Sequence, residues 1–210
     1  MTEDQRDSLA PENDGTPHPS TRDRIVAASF QLFLQHGFDG TGLSQILKAT
    51  DLSKGAFYHY FASKDALYRE VIENFFLKPV RNFDFDAFDT QGLRESRDVL
   101  SGAYTQLPGA VEAAGIDMAR YFALFFEAFS RLEDFREEMR SYYARLLKSL
   151  AQRTYDQHEI FPKVAENHAI NLVASFEGRL FLSAVFGTEG AGKLVATEAE
   201  VTEDIRKKSA

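Results

Sequence analysis

Residues 41–64 have the sequence TGLSQILKATDLSKGAFYHYFASK, which divides into two short helical segments joined by a tight break. The first segment, residues 44–49, carries apolar side chains between polar ones, and residues 50–52 interrupt it. Ser53 is predicted to be the N-cap of the second segment, because a serine oxygen accepts a hydrogen bond from an unpaired first-turn N–H group. A third helix is predicted to begin at Ser63. Two short helices across a turn form a helix-turn-helix, a motif whose second helix can enter the major groove of DNA.

The charge of the chain is distributed unevenly. The 210 residues carry a formal net charge of −8, which argues against a protein that coats nucleic acid without specificity. Residues 1–19 and 79–210 are both net negative, whereas residues 20–78 contain seven Lys or Arg and six Asp or Glu. We therefore expect phosphate contacts from a few placed cations and N–H groups, not from a broad basic surface.

The N-terminal part of the chain carries a family pattern, in order and without a gap. The residues of this pattern are Arg24, Ile25, Ala28, Phe33, Gly37, Phe38, Ile46, residues 53–55, residues 57–61 and residues 63–67. In these positions the chain resembles the tetracycline-repressor (TetR) family of bacterial transcriptional regulators. The resemblance implies a homodimeric, ligand-responsive repressor that binds a double-stranded DNA operator. Two positions depart from the pattern: Gly42 replaces the usual Ser or Thr cap, and Asp51 replaces the usual turn glycine.

The candidate DNA contacts lie in and around the second helix of the motif. Lys54 can donate to guanine or to a phosphate, and Tyr58 can bond a phosphate or pack on a thymine methyl group. Lys64 stands where the resemblance implies a phosphate contact. Phe57 and Phe61 are predicted to face the core. The full set of candidate DNA contacts is Thr41, Ser44, Gln45, Ser53, Lys54, Gly55, Ala56, Tyr58, His59, Tyr60 and Lys64.

The whole chain is predicted to be an all-α protein in two parts after a disordered arm at residues 1–19, which is rich in proline and acids. Residues 20–78 form the helix-turn-helix DNA-binding domain with a connecting helix, which Pro79 is expected to stop. Residues 79–210 form a larger helical domain for ligand binding and dimerisation. Within it, helix breaks are expected at Pro108 and Gly109, and further breaks at Gly115 and in residues 161–162 and 187–192.

Aromatic side chains at helical spacing in the larger domain suit a ligand pocket with a few orienting polar groups, among them Arg120 and His168. The expected ligand is small and largely apolar or aromatic, with an anionic or carbonyl end. Core packing is the alternative role, expected for at least half of these residues. The candidate ligand contacts are Tyr104, Met118, Tyr121, Phe122, Phe125, Phe126, Tyr142, Tyr143 and Phe176.

Residues 166–186 are apolar on nearly all sides, so the predicted helix must be covered both by its own domain and by a second surface. We expect this helix, together with residues 194–208, to form a homodimer. The candidate dimer contacts are Phe176, Gly178, Leu180, Phe181 and Val185.

Several classes of protein are not supported. The chain has no cysteine, so disulfides, a thiol redox switch and cysteine-ligated zinc are excluded. Residues 187–194 fit a phosphate-binding loop except that Leu194 replaces Ser or Thr, and no strand pattern precedes them. Without a catalytic motif or metal-ligand spacing, we expect no enzymatic activity, no cofactor and no metal.

The N-terminus has no apolar segment, and no run of residues is expected to approach a membrane span. A cytoplasmic location without a membrane partner is therefore predicted. Two alternatives to a ligand-responsive repressor remain: a helical protein-interaction module with a vestigial helix-turn-helix, and a constitutive repressor without a small-molecule effector. The sequence leaves open whether the protein represses or activates.

Overall fold

The computed structural model describes the backbone of residues 20–194 and the side chains of residues 20–187. The predicted arm at residues 1–19 and residues 195–208 of the predicted last helix lie outside this part. Residues 20–194 contain helices and no strand, which confirms the all-α prediction. The elements are α1 (Thr21–Gly40), α2 (Leu43–Thr50), α3 (Lys54–Tyr60), α4 (Lys64–Ile72), a π-helical turn (Glu73–Leu77), α5 (Lys78–Arg81), α6 (Phe85–Asp89), α7 (Leu93–Ala113), α8 (Met118–Arg131), α9 (Glu133–His158) and α10 (Pro162–Leu194).

Local capping sets the boundaries of the helix-turn-helix. Ser53 Oγ accepts a hydrogen bond from the Ala56 N–H group at 3.1 Å, which confirms the predicted N-cap of α3. Asp51 ends α2 in the left-handed conformation, with φ 53° and ψ 43°, so this turn forms without a glycine. Gly42 has no side chain to cap α2, but its N–H group donates to Gln45 Oε1 at 2.6 Å. That bond supplies one half of a capping box.

The connecting helix does not stop at Pro79, so that prediction is wrong. A π-helical turn follows α4, and the Lys78 N–H group donates to the Glu73 carbonyl five residues earlier. Pro79 then lies in the first turn of α5, which runs on to Arg81. A proline is tolerated there because the first N–H groups of a helix have no intrahelical acceptor.

Helix α7 continues through Pro108, so the break predicted at Pro108 and Gly109 is also wrong. The buried side chains Leu100 and Val111 hold the helix on either side of the proline. This packing offsets the single backbone hydrogen bond that a proline removes. The chain turns instead at Gly115, where φ is 72°, as predicted.

Three hydrophobic clusters form the interior of the described part. Cluster 1 consists of buried residues of α1–α4 and the π-helical turn together with Leu124, Ala128, Leu132, Phe135 and Met139. Cluster 2 consists of Phe85, Phe88, Leu100, Leu146, Leu150, Ala169, Val173 and Phe176. Cluster 3 consists of Val111, Met118 and Leu180. Cluster 1 therefore crosses the domain boundary that we placed after residue 78, and joins the helix-turn-helix to α8 and the start of α9.

Helix α10 is long and apolar enough to cross a membrane by length and composition, contrary to the expectation that no segment approaches a span. Within Pro162–Gly187, an 18-residue segment has a mean hydropathy of 1.4, and 28% of that segment is buried inside the protein. Phe176 and Leu180 face the interior, whereas Phe181 and Val185 are exposed. One side of α10 is thus packed against other helices, and the other side is not covered by any of residues 20–187.

Candidate nucleic-acid interface

Helix α3 presents polar side chains on an apolar base. Phe57 and Phe61 are buried, as predicted, and anchor α3 in cluster 1. On the opposite side Lys54 and His59 are exposed, and Tyr58 is 47% exposed. Such a face can donate hydrogen bonds to phosphates and to base edges in a major groove.

Arg22 of α1 fixes the end of α3, a role that the sequence did not suggest. Its guanidinium group donates to the Tyr60 carbonyl at 2.9 Å and pairs with the Glu70 carboxylate of α4. The same group lies 4.5 Å from the centre of the Phe61 ring. Helices α1, α3 and α4 therefore hold the exposed face in one orientation.

The candidate contacts before α3 are divided between the surface and the interior. Ser44 and Gln45 are exposed at the start of α2. Thr41 is fully buried, and its hydroxyl donates to the Gly37 carbonyl at 2.7 Å. The structure thus contradicts Thr41 as a DNA contact, because its side chain closes the turn after α1.

The Lys64 ammonium group also points into the protein. Nζ donates to the Phe38 carbonyl at 2.8 Å and to the Thr41 carbonyl at 2.9 Å. It also lies 4.0 Å from the centre of the Phe38 ring. This placement contradicts a phosphate contact as the main role of Lys64, since its amine ties α4 to the segment between α1 and α2.

Replacing Lys64 with alanine is expected to lower the free energy of unfolding by about 2 kcal/mol, because two partly buried carbonyls lose a charged donor. The measurement is urea unfolding without DNA, with Lys48→Ala as the matched control. Lys48 is an exposed lysine of α2, so its loss should change stability by less than about 0.5 kcal/mol. Equal stability of the two variants would contradict the structural role of Lys64.

Helix α8 contacts the C-terminal end of α1 through three charged side chains. Arg120 donates to the Gln35 carbonyl at 2.7 Å. The Glu127 carboxylate accepts the Phe38 N–H group at 3.0 and 3.1 Å, just after the left-handed Gly37. We call this set the α1–α8 contact. Arg120 therefore serves α1 and does not line a ligand pocket.

Arg131 completes the α1–α8 contact by pairing with Asp39 and by lying 4.3 Å from the centre of the Phe38 ring. The sequence contained a usable signal for this set. Arg120, Glu127 and Arg131 are seven and four residues apart, so they share one face of an otherwise aromatic helix.

The nine candidate ligand contacts do not line a single pocket. Met118 lies in cluster 3 and Phe125 packs against cluster 1, while Phe126 is 61% exposed. Two open grooves, of about 380 and 530 Å³, are lined by other residues. The fully buried residues of α8 are Met118, Leu124 and Ala128, so its aromatic side chains are at most half-buried.

A smaller group of the candidates does converge, around Glu177. The Tyr104 hydroxyl donates to Glu177 Oε1 at 2.6 Å, and the Tyr143 hydroxyl donates to the same oxygen. The Tyr104 ring stacks on Phe176, with ring centres 5.3 Å apart. His168 belongs elsewhere, since its Nδ1 atom lies 3.3 Å from Thr154 Oγ1. The sequence had not selected Glu177 as a site residue.

Burial keeps the tyrosines near Glu177 in their neutral form. The pKa values of Tyr121 and Tyr142 are raised to about 12. The larger cause is burial of the phenols, and the smaller cause is the nearby negative charge of Glu177. The same two causes raise the pKa of Tyr143 far above its ordinary value. Burial first, followed by electrostatic interaction with Tyr143 and Glu177, raises the pKa of Tyr104 far above its ordinary value. The hydroxyls are hydrogen-bond donors at neutral pH as a result.

The candidate dimer contacts fall on two sides of α10. Phe176 and Leu180 are each 5% exposed and pack within their own chain, which contradicts them as dimer contacts. Gly178, Phe181 and Val185 are exposed on the other side. A hydrophobic helix gives no periodicity from which the two sides could be told apart in the sequence.

Comparison with known proteins places this helix-turn-helix among bacterial regulators. The profile of bacterial regulatory proteins of the tetR family matches residues 25–71. The HTH-type transcriptional repressor NemR of Escherichia coli (strain K12) is 48% identical over 61 residues, which cover 29% of this chain and 30% of NemR. An HTH-type transcriptional regulator in the lacX 3' region of Lactococcus lactis is 27% identical over 169 residues, covering 79% and 84% of the two chains. The match to NemR thus spans less than a third of that relative.

Two solved structures share the fold over most of their length. The reduced form of E. coli NemR has a TM-score of 0.52 and 25% identity, with 79% of this chain and 88% of that chain covered. Salmonella enterica GusR has a TM-score of 0.50 and 28% identity, with 83% and 91% covered. The fold and the exposed polar face of α3 define a helix-turn-helix domain. Residues 25–71 of the chain thus carry the helix-turn-helix of the TetR family of bacterial regulatory proteins.

Proposed function

We propose that this chain is a transcriptional repressor that binds a palindromic operator as a homodimer and releases it when a small, largely apolar or aromatic effector binds. The exposed polar face of α3, Lys54, Tyr58 and His59 on buried Phe57, is the observation that carries the proposal. Residues 20–78 read DNA, and residues 79–210 bind the effector and dimerise. Relatives with a matching helix-turn-helix are named as transcriptional repressors, which supports this function.

Specific DNA reading by one short helix requires a second copy. Helix α3 is seven residues long and can contact few base pairs. Two copies on a two-fold axis place their recognition helices about 34–36 Å apart, one turn of DNA, so the operator is a near-palindrome.

The uncovered side of α10 supplies the surface for this second copy. Phe181 and Val185 are exposed there, and Ile170 lines the groove of about 530 Å³ between α9 and α10. A lipid-facing helix is a poorer explanation, because exposed Arg179 and half-buried Glu177 lie in the middle of the apolar stretch and charges there are costly in a bilayer. A cytoplasmic dimer follows, to be checked by fractionation.

Gly178→Leu is expected to weaken dimerisation by about 10- to 100-fold, the equivalent of about 1–3 kcal/mol of overpacking. A Cβ atom added at Gly178 has no neighbouring atom within 4 Å among the described residues, so we expect a leucine there to be tolerated by its own chain and to collide with a partner. Gly109→Leu is the matched control, since Gly109 is equally open and lies on α7. The measurement is sedimentation equilibrium. Equal dimer affinity of both variants, or a monomeric wild type at micromolar concentration, would contradict dimerisation through α10.

Release of DNA requires that the effector bind better to a form whose recognition helices no longer match the half-sites. Two connections support such a coupling: the continuous run from α4 through the π-helical turn to α5, and the α1–α8 contact. By linkage, the effector must bind free protein more tightly than operator-bound protein, by the factor with which it weakens DNA binding. A thiol-based response is excluded by the absence of cysteine.

The deciding experiment is selection of bound duplexes from a random DNA pool, followed by a search for metabolites that release the selected site. Enrichment of a palindrome with salt-dependent affinity supports the repressor. Failure to enrich any sequence would favour a helical protein-interaction module. An enriched operator that no metabolite releases, with equal ligand affinity of free and bound protein, would favour a constitutive repressor.

A further inference from the structure

The three hydrophobic clusters meet at tyrosines arranged around one carboxylate. Tyr143 packs against clusters 1 and 2, Tyr121 against clusters 1 and 3, and Tyr104 against clusters 2 and 3. Glu177 accepts hydrogen bonds from Tyr104 and Tyr143 on the single oxygen Oε1. A polar seam therefore separates cluster 1, which contains the core of the helix-turn-helix, from the two clusters of the larger domain.

The negative charge of Glu177 lacks a cationic partner within the described part of the chain. Its side chain is half-buried, and its polar partners among residues 20–187 are the two phenol hydroxyls. A desolvated carboxylate is costly unless hydrogen bonds and an opposite charge compensate it. The two phenols provide hydrogen bonds but no positive charge.

The surroundings of Glu177 suit an organic cation. Tyr104 stacks on Phe176, Tyr142 and Tyr143 have ring centres 5.4 Å apart, and Tyr121 adds a further ring nearby. Aromatic faces attract a cation that comes within about 6 Å of the ring centre.

We propose that the effector site of this protein lies at Glu177, Tyr104 and Tyr143 and takes an organic cation with an apolar aromatic body. The cationic group pairs with Glu177, and the aromatic body lies between Tyr104 and Tyr143. This proposal rests on the proposed function and replaces the anionic or carbonyl end expected from the sequence, since Glu177 repels an anion. A ligand at the seam separates cluster 1 from clusters 2 and 3, and so acts on the core that supports α3.

The test compares three probes with one aromatic body and different charges: 1-naphthylmethylamine, 1-naphthalenemethanol and 1-naphthoate. Calorimetric titration of the full-length protein without DNA is expected to show the amine binding at least about tenfold more tightly than the alcohol. The naphthoate is expected to bind most weakly. Glu177→Gln should bring amine and alcohol within about twofold of each other, chiefly by weakening the binding of the amine.

Two controls separate binding from folding. Glu166→Gln removes an exposed carboxylate from the same helix and should leave the preference for the amine intact, and circular dichroism checks that both variants are folded. If Glu177→Gln does not fold, Tyr104→Phe replaces it and should reduce the preference for the amine by altering the hydrogen bonding at Oε1. An amine that binds no better than the alcohol, a preference that survives Glu177→Gln, or no binding of any probe at 1 mM would overturn the proposal.

Operator binding by the same samples distinguishes this inference from the proposed function. Charge-selective binding at Glu177 without enrichment of any operator would leave the cation site standing and refute the repressor. Operator binding without charge selectivity would refute the cation site alone.

Discussion

The double variant Lys54→Ala/Tyr58→Ala is expected to lose operator affinity by about 10³-fold or more. Both side chains are exposed on α3, so their removal leaves the core intact. Each lost contact to a base or phosphate weakens binding by about 1–3 kcal/mol at each half-site, and a dimer loses every contact twice. The measurement is a titration of the selected operator at several salt concentrations. Loss of a Lys54–phosphate contact in both protomers should also reduce the salt slope by about 2.

The matched control for this variant is Arg140→Ala, which removes one positive charge from α9, outside the helix-turn-helix. Arg140 lies on α9 and its side chain is 64% exposed, paired with Glu137. It should leave both operator affinity and salt slope unchanged, because phosphate contacts act locally. Equal operator affinity of the double variant and the wild type, with both folded, would rule out α3 as the recognition helix.

Phe135→Ala is expected to lower the free energy of unfolding by about 3–5 kcal/mol, as large-to-small changes of fully buried phenylalanines do. Phe135 is fully buried at the start of α9. Its ring centre lies 6.2 Å from that of Phe76 in the π-helical turn and 5.4 Å from that of Phe125 in α8. The substitution opens a cavity where the helix-turn-helix joins the larger domain. Urea unfolding followed by circular dichroism measures the effect.

Phe161→Ala is the matched control, because the same side chain is 81% exposed there. It should change the free energy of unfolding by less than about 0.5 kcal/mol. The Phe135 variant should also bind operator more weakly at temperatures where the wild type is folded. A loss of stability below about 1 kcal/mol would mean that cluster 1 is not a single cooperative core.

The helix-turn-helix was predictable because its boundaries are encoded by neighbouring residues. Ser20 accepts a hydrogen bond from Asp23 N–H at 3.1 Å, Ser53 caps α3, and Asp51 takes the left-handed turn. Each of these features needs three or four consecutive residues and no tertiary contact. The core role of Phe57 follows from the same local pattern.

The inward roles of Thr41 and Lys64 were not predictable in this way. Lys64 binds a carbonyl of Phe38, 26 residues earlier in the chain, and nothing in the local sequence shows where that carbonyl lies. Pro108 remains within α7 because packing outweighs local propensity, whereas Pro79 is tolerated in the first turn of α5. Residues that resemble a family motif can therefore keep their positions while their side chains serve the interior.

The candidate ligand and dimer residues show a second limit on what could be predicted from the sequence. On α10 the buried Phe176 and the exposed Phe181 are the same residue type, so hydrophobicity cannot assign their sides. Glu177 lies inside the same apolar segment of α10. An acidic residue in such a segment was the sequence signal that could have predicted the polar seam. Such a residue is worth testing, since an acid in an apolar helix needs a specific partner.

The composition of cluster 1 has a consequence for synthesis of the protein. Ile25 and Ile72 belong to the same core as Phe135 and Met139, which the ribosome adds much later. At about 5–20 residues per second, roughly 3–13 s separate the synthesis of Ile72 from that of Met139. During this interval the nascent helix-turn-helix exposes the apolar surface that α8 and α9 later cover. The helix-turn-helix therefore completes its core only after α8 and the start of α9 have been synthesised.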